Sequence, residues 1–371
     1  MKVAIDARAL QSRSTGIGTY TRGIAEALAA RVDIEVGLFS PRALPDQLAG
    51  GPWSVHADSH PSGMLWAQTT LTRRARRWGA DALLAALTIG PAYDDALPFV
   101  SVVHDLTAWT HPAWHARRTV VGFVPLWERT VELASRLLCV SETTAGELVE
   151  LYPEARPRVR VARNGVDPAF SPRDDEAEKR RVRGRYAGGQ PFLLYLGTLE
   201  PRKNLVALVA ACERLWARRR SRPDLVLAGG SGWKTAALHR RIARSPWRDK
   251  IHLPGYASRE IALELYRAAE AFVYPSLAEG FGLPVAEAMA CGVPVVASTA
   301  AALKEVGGDA VLYAEPEDVA GLSAAIQRAL EDAPTRARLR CAGPQRAARF
   351  TWEAAGAVTA AALEEAAGGR G

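Results

Sequence analysis

The stretch Tyr274–Ser298 constrains the fold more than any other part of the chain. The apolar run Ala271–Tyr274 is long enough for a buried strand, and Gly280–Gly282 then mark a tight loop. A helix is predicted over Val285–Ala290, and the apolar run Val293–Ala297 predicts a second buried strand. The order strand, glycine loop, helix and strand indicates one βαβ unit of a parallel sheet, and therefore an α/β fold.

The loop of this unit has the features of a ligand site. Glycines that lead into a helix leave backbone N–H groups at the positive end of the helix dipole, which favours an anion. Glu279 lies in the loop and Glu287 lies in the helix, so two carboxylates flank these amides. A carboxylate accepts two hydrogen bonds in one plane and suits the paired hydroxyls of a sugar or ribose. The combination indicates a sugar nucleotide, although Glu279 alone also fits a solvated loop residue and Glu287 alone fits a charge that the helix dipole favours at a helix start.

The spacing of these residues resembles the signature of a known family. Glu279 and Glu287, with Gly280-Phe281-Gly282 after the first of them, are similar to the motif of glycosyltransferase family 4, whose members are retaining enzymes. The resemblance implies the GT-B fold, in which two Rossmann-like domains face each other across a cleft and a C-terminal helix crosses back to the first domain. It also implies that Glu279 is catalytic and contacts the transferred sugar, and that Glu287 binds the ribose. The backbone amides that it assigns to the donor's sugar and diphosphate belong to Phe281, Gly282 and Leu283.

A second segment, with two cations, follows the predicted strand Phe192–Leu196. Arg202 and Lys203 stand at the start of the next predicted helix, where cations oppose the helix dipole unless an anion compensates them. The segment from Gly197 onward also resembles the family's Gly-x3-Pro-Arg-Lys segment, which neutralises the donor diphosphate. The resemblance therefore assigns Arg202 and Lys203 to the diphosphate, and the alternative is a solvated helix start.

The resemblance assigns three further positions. His104 follows the predicted strand Phe99–Val103, and ligands of an open parallel sheet bind beyond the carboxyl ends of its strands. The family has a matching histidine beside the transferred sugar, which makes His104 the second catalytic candidate; a structural histidine is the alternative. Gly16, in the turn after the first predicted strand, matches a glycine loop near the donor phosphates. Tyr256 follows the strand Ile251–Leu253, where family members bind the nucleotide base through main-chain groups.

Two glycine-rich segments resemble nucleotide-binding motifs but lack a required residue. Gly16 and Gly18 open a helix after a strand, yet Thr21 stands where a dinucleotide-binding loop has its third glycine, and no acidic residue ends the second predicted strand. Trp233 stands directly before Lys234, where the phosphate loop of NTPases has glycine. We therefore expect neither a nicotinamide cofactor nor a phosphate loop of that type.

Composition limits the class of protein. A chain of 371 residues is too long for one ordinary core, so we expect two domains. The four cysteines are scattered without a Cys-x-x-Cys pair, which is typical of reduced cytoplasmic thiols. The N-terminal segment has no apolar core, and no apolar stretch is long enough to span a bilayer, so we expect a cytoplasmic protein without a signal peptide. A net charge of +7 indicates acidic partners.

Domain limits follow from the composition between the predicted elements. Residues 1–165 are predicted to form an N-terminal Rossmann-like acceptor domain. Residues 166–190, rich in proline, glycine and charge, are predicted to form a linker. Residues 191–350 are predicted to form the nucleotide-sugar donor domain, and residues 351–371 a helix that packs back on the first domain.

A predicted amphipathic helix over Met64–Trp78 carries four arginines near its C-terminal end. One interpretation is an ordinary surface helix whose cations favour the negative end of the helix dipole. The other is contact with an anionic membrane surface, at about 1 kcal/mol per basic residue, because family members that act on lipid-linked acceptors often carry such a patch. In that case the protein is peripheral on the inner face of the membrane. The four residues are Arg73, Arg74, Arg76 and Arg77.

The expected reaction needs no metal ion and no cofactor. The chain contains no Asp-x-Asp motif, so the cations at positions 202 and 203 and the loop amides are expected to stabilise the charge on the leaving diphosphate. The resemblance implies same-face substitution, with the leaving phosphate helping to deprotonate the acceptor hydroxyl. Two segments, 197–204 and His-Asp-Leu at 104–106, resemble the mannosyltransferase-like group, so GDP-mannose is the favoured donor. UDP-glucose, UDP-N-acetylglucosamine and a dTDP-deoxysugar stay open, and the acceptor is expected to be a glycan or lipid-linked glycan.

Three other classes of protein fit parts of the sequence. A nucleotide-sugar epimerase shares the two-domain architecture, but the motif of Glu279 and Glu287 favours a transferase; turnover without an acceptor would reverse that choice. A two-lobed sugar-binding protein usually carries an export signal, and we expect none in this sequence, so this class is not favoured. A nucleic-acid binder would fit the basic charge, but the arginines are scattered and no known module is present, so we expect no nucleic-acid partner.

Overall fold

The computed structural model describes residues 1–11, 15–94, 96–115, 117–218 and 223–369. Contacts divide the chain into two units. The first unit comprises Met1–Gly165 and the segment that begins at Phe350, and the second comprises Val166–Arg349. Each unit is built around one parallel β-sheet.

The first unit contains a seven-stranded sheet. Its strands are β1 (Lys2–Asp6), β2 (Glu35–Ser40), β3 (Ser54–Ala57), β4 (Ala82–Ala85), β5 (Phe99–Val103), β6 (Arg136–Cys139) and β7 (Val159–Val161). They lie in the order β3-β2-β1-β4-β5-β6-β7, with parallel pairing. β4 and β5 are buried along their whole length and are apolar except for Ser101, as expected for a sheet covered on both faces. The order reverses between β1 and β4, which is the doubly wound topology of a Rossmann-like domain.

The second unit repeats this plan with a six-stranded sheet. Its strands are β8 (Phe192–Leu196), β9 (Asp224–Ala228), β10 (Ile251–Gly255), β11 (Ala271–Tyr274), β12 (Val295–Ser298) and β13 (Leu312–Ala314). They lie in the order β10-β9-β8-β11-β12-β13, again with parallel pairing. The order reverses between β8 and β11, so the loops that follow these two strands lie at the point where open α/β sheets bind ligands.

Helices connect the strands of both sheets. Many begin at a side-chain cap; for example, Ser141 Oγ accepts a hydrogen bond from Thr144 N, and Thr351 Oγ1 accepts one from Ala354 N. Within the described residues the helices are α1 (Gly16–Ala29), α2 (Gly63–Thr69), α3 (Leu71–Trp78), α4 (Thr107–Thr110), α5 (Arg117–Leu133), α6 (Glu142–Leu151), α7 (Glu176–Tyr186), α8 (Leu205–Arg218), α9 (Ala236–Arg244), α10 (Arg259–Ala268), α11 (Leu283–Ala290), α12 (Ala301–Gly307), α13 (Val319–Glu331), α14 (Ala333–Ala347) and α15 (Trp352–Gly368).

The C-terminal helix α15 packs on α1 of the first unit. Small residues allow the approach, because a Cβ atom built on Gly356 would lie 2.6 Å from Ala27 Cβ. A Cβ atom on Gly23 would lie 2.3 Å from the ring of Trp352, so this tryptophan occupies a slot that only glycine leaves open. The return of the terminal helix to the first unit, which the family resemblance implies, is confirmed.

Three local predictions differ from the structure. The helix predicted over Met64–Trp78 is two helices, because Thr70 leaves helical geometry with φ of −124°. The linker predicted over 166–190 contains α7, which packs against α10 in the second unit. The sequence predicts a helix over Pro334–Phe350 with an interruption at Gly343-Pro344, because proline removes a backbone N–H, but α14 continues through Pro344. Strand β3 and helix α5 are not predicted, since β3 is short and partly polar and α5 contains Pro125.

Candidate active site

The loop between β11 and α11 turns at a position that requires glycine. Gly282 has φ of 97°, and a Cβ atom built on it would lie 2.5 Å from Leu303 Cδ2. Gly282 is also the N-cap of α11, so the loop leads directly into the helix start. Among the described residues, no acceptor pairs with the amides of Gly282 and Leu283. These amides lie at the positive end of the α11 dipole, where an anion is stabilised.

Glu279 connects this loop to the segment that follows β8. Its Oε1 accepts hydrogen bonds from Lys203 Nζ at 2.5 Å and from Ser276 Oγ at 2.6 Å, and its Oε2 accepts one from Arg202 Nη1 at 3.1 Å. The side chains of Glu279, Lys203 and Arg202 are only 8%, 7% and 13% exposed. Because β8 and β11 are neighbours where the strand order reverses, the structure brings these three predicted site residues together.

Arg202 and Lys203 precede the next helix rather than begin it. They lie in a short 3-10 turn that Asn204 ends with a left-handed φ of 56°, and α8 starts after it. The prediction that these cations begin the next helix is therefore wrong, since they lie just before its N-terminus. The anions that compensate them are carboxylates of this unit: Glu279 pairs with both, and Glu200 Oε1 accepts a hydrogen bond from Arg202 Nε at 3.1 Å.

Backbone hydrogen bonds hold the same two segments together independently of charge. The Arg202 carbonyl accepts a hydrogen bond from Leu277 N at 2.8 Å. Ser298 Oγ, at the end of β12, donates to the Ser276 carbonyl at 2.5 Å. The cations and the carboxylate are therefore fixed before any ligand arrives, which is the condition for strong electrostatic stabilisation of a developing charge.

The ion pairs set the protonation of this cluster. Burial raises the pKa of Glu279, but Arg202, Lys203 and the hydrogen-bond donors outweigh burial and lower the pKa to about 2. Burial lowers the pKa of Lys203, and Arg202 lowers it further, while Glu279 opposes both effects. Burial and the charge of Glu279 raise the pKa of Tyr274, whose hydroxyl accepts a hydrogen bond from Lys203 Nζ at 2.9 Å. At neutral pH Glu279 is therefore ionised and Tyr274 is neutral.

Glu287, on α11, lies in a different environment. Its Oε2 accepts a hydrogen bond from Tyr266 OH at 3.0 Å. No ion pair joins Glu287 to a lysine or arginine among the described residues. Burial raises the pKa of Glu287 to about 7, against the opposing effects of the Tyr266 hydrogen bond and the more distant Arg259. This carboxyl group therefore titrates near neutral pH rather than in the acidic range of an exposed glutamate.

The remaining predicted donor residues of the second unit expose little side chain. Phe281 and Leu283 are buried in the core, so only their main-chain groups are available to a ligand. Tyr256 is half-buried and follows Gly255, whose φ of 81° turns the chain at the end of β10. These positions suit main-chain contacts of the kind that the family resemblance implies.

His104 belongs to the first unit and follows β5. Its Nε2 donates a hydrogen bond to the Ala86 carbonyl at 2.7 Å, and its ring packs edge-on against Tyr20, with 4.9 Å between ring centroids. Burial lowers the pKa of His104, against the opposing effects of the hydrogen bond to Ala86 and the charge of Asp105. The imidazole is therefore neutral at neutral pH. Gly16, the first residue of α1, is exposed after the cap Thr15.

The arginine cluster lies on α3, and its four members are not equivalent. Arg73, Arg76 and Arg77 are exposed, whereas Arg74 pairs with Asp58 at 3.2 Å. No helix among the described residues has the length and the apolar character that a membrane crossing requires.

Sequence reasoning missed four residues of the second unit that complete the cluster and its surroundings. Glu200 and Ser276 had local signals, since each lies within three positions of a predicted site residue. Tyr274 ends a predicted strand, and Tyr266 lies on a different helix from its partner Glu287, so neither pairing has a local signal.

Comparisons with known proteins identify glycosyltransferases along nearly the whole chain. The model of Glycosyltransferase Family 4 matches residues 14–170, and that of Glycosyl transferases group 1 matches residues 176–346. The O-antigen chain mannosyltransferase B of Escherichia coli is 32% identical over 371 residues, which cover 95% of this chain and 97% of the relative. A glycogen synthase of Mycobacterium tuberculosis is 31% identical over 299 residues, which cover 77% of this chain and 69% of the relative.

Solved structures share the fold at lower identity. HepE of Anabaena, in complex with UDP-glucose, matches with a TM-score of 0.77 and 19% identity over 98% of this chain and 99% of that one. WaaG, a glycosyltransferase involved in lipopolysaccharide biosynthesis, matches with a TM-score of 0.73 and 17% identity over 98% of both chains. The GT-B fold implied by the sequence is confirmed. The chain belongs to glycosyltransferase family 4 and is an enzyme that transfers sugars.

Proposed function

We propose that this enzyme moves a hexose from a nucleotide sugar to a hydroxyl of a glycan or lipid-linked glycan, with retention of configuration and without a metal ion. GDP-mannose is the favoured donor. The observation that carries the proposal is the cluster of Glu279 with Arg202 and Lys203 beside the loop into α11. Two fixed cations and the amides of a helix start can stabilise the charge that builds on a departing nucleoside diphosphate.

The proposed reaction gives the cations and the carboxylates different tasks. Arg202 and Lys203 bind the diphosphate, and Glu279, which is ionised at neutral pH, accepts hydrogen bonds from the transferred sugar. Glu287 accepts hydrogen bonds from the ribose. The bond between the sugar C1 and the phosphate oxygen breaks, the acceptor oxygen bonds to C1 on the same face, and the acceptor's proton passes to the leaving phosphate. Main-chain groups assigned to the donor are those of Gly16, Tyr256, Phe281, Gly282 and Leu283.

The donor proposal depends on the relatives. The O-antigen chain mannosyltransferase B of Escherichia coli, similar over 95% of this chain, supports mannose. HepE, which shares the fold and was solved with UDP-glucose, keeps UDP-glucose as the second candidate. Thermal unfolding with GDP, UDP and dTDP separates the candidates, because a ligand that binds only the folded state raises the melting temperature.

We expect GDP to raise the melting temperature more than UDP or dTDP does at equal concentration. Transfer from GDP-mannose should then persist in EDTA and give a product with the anomeric configuration of the donor. A larger shift with UDP would make UDP-glucose the favoured donor instead of GDP-mannose. Loss of transfer in EDTA would refute the metal-independent reaction. If none of the three nucleotides shifts the melting temperature, the whole proposal fails.

His104 is proposed to contact the transferred sugar as a neutral imidazole. His104→Ala should lower kcat for transfer while leaving the affinity for the nucleoside diphosphate within about twofold, because the phosphate contacts belong to other residues. An unchanged kcat would show that His104 has a structural role and does not contact the transferred sugar.

A contact with an anionic membrane surface is proposed for α3. Three of its four arginines are exposed, and each contributes about 1 kcal/mol near an anionic surface. In liposome flotation with phosphatidylserine vesicles, changing the arginines to serine should reduce binding at low salt. Binding that is unchanged by the substitutions refutes this contact without affecting the proposed transfer.

A further inference from the structure

One buried carboxylate of the cluster has no task in the proposed reaction. Glu200 lies between β8 and the turn that carries Arg202, and its side chain is only 3% exposed. Its Oε1 accepts a hydrogen bond from Arg202 Nε at 3.1 Å and lies 3.0 Å from Arg202 Nη2. A carboxylate that is removed from water in this way needs a charged and hydrogen-bonded partner, so Glu200 and Arg202 depend on each other.

The contacts of Arg202 fix the plane of its guanidinium group. Nε and Nη2 face Glu200 on one side, while Nη1 donates to the Ala278 carbonyl at 2.9 Å and to Glu279 Oε2 at 3.1 Å on the other. A guanidinium is planar and its N–H groups have fixed directions, so restraint from two sides also sets the direction of every other N–H group.

Glu200 also balances the charge of the two cations, Arg202 and Lys203. Glu279 alone pairs with two cations, through Oε1 to Lys203 and through Oε2 to Arg202. Glu200 supplies a second negative charge, on the Arg202 side of the cluster. Without that charge, Arg202 and Lys203 would share one carboxylate, and the ion pair that holds the Nε side of the guanidinium would be lost.

We propose that Glu200 is a positioning residue that orients Arg202 toward the donor diphosphate. This inference rests on the proposed function, because it assumes that Arg202 binds the diphosphate. It opposes the simplest electrostatic expectation, in which loss of a negative charge beside the site would strengthen the binding of an anion. The two expectations therefore differ in sign for the same variant.

The experiment compares wild type with Glu200→Gln, an isosteric variant without the charge, and with Glu200→Asp, which keeps the charge. Calorimetric titration with GDP, UDP and dTDP gives the affinity for the diphosphate, and initial rates give kcat and KM for the donor. The matched control is Glu270→Gln, since Glu270 also pairs with a largely buried arginine of this unit, Arg183, at 2.7 Å. Melting temperature and circular dichroism check that each variant folds.

We expect Glu200→Gln to weaken nucleoside diphosphate binding about tenfold or more, because the carboxylate–guanidinium ion pair is replaced by a weaker contact with a neutral amide, which holds the Arg202 guanidinium less firmly. The donor kcat/KM should fall by a similar factor. Glu200→Asp should recover part of both losses, and Glu270→Gln should bind as wild type does. Unchanged or tighter binding by a folded Glu200→Gln overturns the inference. If that variant does not fold, folded Glu200→Asp with wild-type affinity and kcat/KM overturns it instead.

Lys203→Ala separates this inference from the proposed function. If wild type binds a nucleoside diphosphate and Lys203→Ala does not, the diphosphate site stands whatever the outcome for Glu200. If wild type binds none of the three nucleotides, or Lys203→Ala binds as tightly as wild type, the proposed function fails and the inference about Glu200 fails with it.

Discussion

The two glutamates of the family motif lie close together in the sequence but in opposite electrostatic environments. Glu279 pairs with Arg202 and Lys203, which outweigh its burial and lower its pKa to about 2. Glu287 has a tyrosine hydroxyl as its hydrogen-bond partner, and burial raises its pKa to about 7. One carboxylate is therefore ionised under all ordinary conditions, while the other is poised to gain or lose a proton at neutral pH.

The difference teaches that a shared motif does not imply a shared physical role. In the proposed reaction the cations that pair with Glu279 also bind the diphosphate, so a change at Glu279 should affect both the sugar and the diphosphate contacts. A carboxylate without a cation binds a ribose diol only when it is ionised, so its task depends on pH. The predictions below test this contrast.

The largest expected effect comes from substitutions that break the ion pairs of Glu279. Lys203→Ala and Glu279→Ala should each lower kcat/KM for transfer roughly 100- to 1,000-fold, because preorganised charge stabilisation at the reacting centre is lost. Lys203→Ala also leaves Glu279 paired with Arg202 alone among the described residues, and the loss of one hydrogen bond to a charged group should lower the free energy of unfolding by roughly 1.5 to 3 kcal/mol. Steady-state kinetics and urea unfolding measure the two effects.

Glu270→Gln serves again as the control, since its partner Arg183 lies outside the cluster. Transfer at the wild-type rate by either Lys203→Ala or Glu279→Ala would show that the cluster is structural and would remove the basis of the proposed reaction.

A smaller effect is expected from Glu287 and depends on pH. Because the ionised form of Glu287 is proposed to bind the ribose diol, the donor KM should fall as the pH rises through about 7. Glu287→Gln should raise KM about tenfold at pH 8 and flatten this dependence, while kcat changes less. A KM that is independent of pH in wild type between pH 6 and 8 would contradict the assigned environment of Glu287.

Glu279 and Glu287 should change the free energy of unfolding in opposite directions as the pH rises. The pKa of Glu279 falls from 4.5 in the unfolded chain to about 2, so its stabilising effect is present above pH 4.5 and is lost as the pH falls toward 2. The pKa of Glu287 rises from 4.5 to about 7, so its contribution is present below pH 4.5 and is lost as the pH rises through 7. Each effect is at most about 3 kcal/mol.

Urea unfolding of wild type and Glu287→Gln between pH 4 and pH 8 measures the second effect. The variant should lack the loss of unfolding free energy on the alkaline side, and Glu279→Gln should retain that loss. Parallel curves for Glu287→Gln and wild type would mean that Glu287 does not have a raised pKa.

The smallest expected effect comes from Tyr266→Phe, which removes a hydrogen bond that lowers the pKa of Glu287. The pKa of Glu287 should rise further, so the fall in donor KM should move to higher pH by less than about one unit. The cost in stability should be about 1 kcal/mol. A shift of the KM profile to lower pH would contradict the role of Tyr266.

Much of the fold follows from the sequence because local patterns decide it. Largely apolar runs with proline or glycine at one end or both predict β5, β8 and β11 with the bounds that the structure has. Parallel sheets bury both faces, so their strands are continuous apolar runs that are easy to recognise. Elements that are short or contain proline lack such a continuous pattern, and for this reason the sequence does not predict β3 and α5.

The candidate site is less predictable because its contacts are distant in sequence. Arg202 and Glu279 are separated by 77 positions and meet only because β8 and β11 are neighbours in the sheet. The family resemblance identifies both residues, but it does not reveal that they neutralise each other. The pairing of Glu200 with Arg202 likewise depends on the 3-10 turn, where the sequence predicts a helix start.

A crystal structure with GDP bound would examine the diphosphate site without the ambiguity of kinetics. We expect phosphate oxygens within hydrogen-bonding distance of Lys203 Nζ, the Arg202 guanidinium and the Gly282 and Leu283 amides, with Glu287 contacting the ribose hydroxyls. GDP bound elsewhere, with Arg202 and Lys203 still paired only with Glu279 and Glu200, would contradict the proposed role of this cluster.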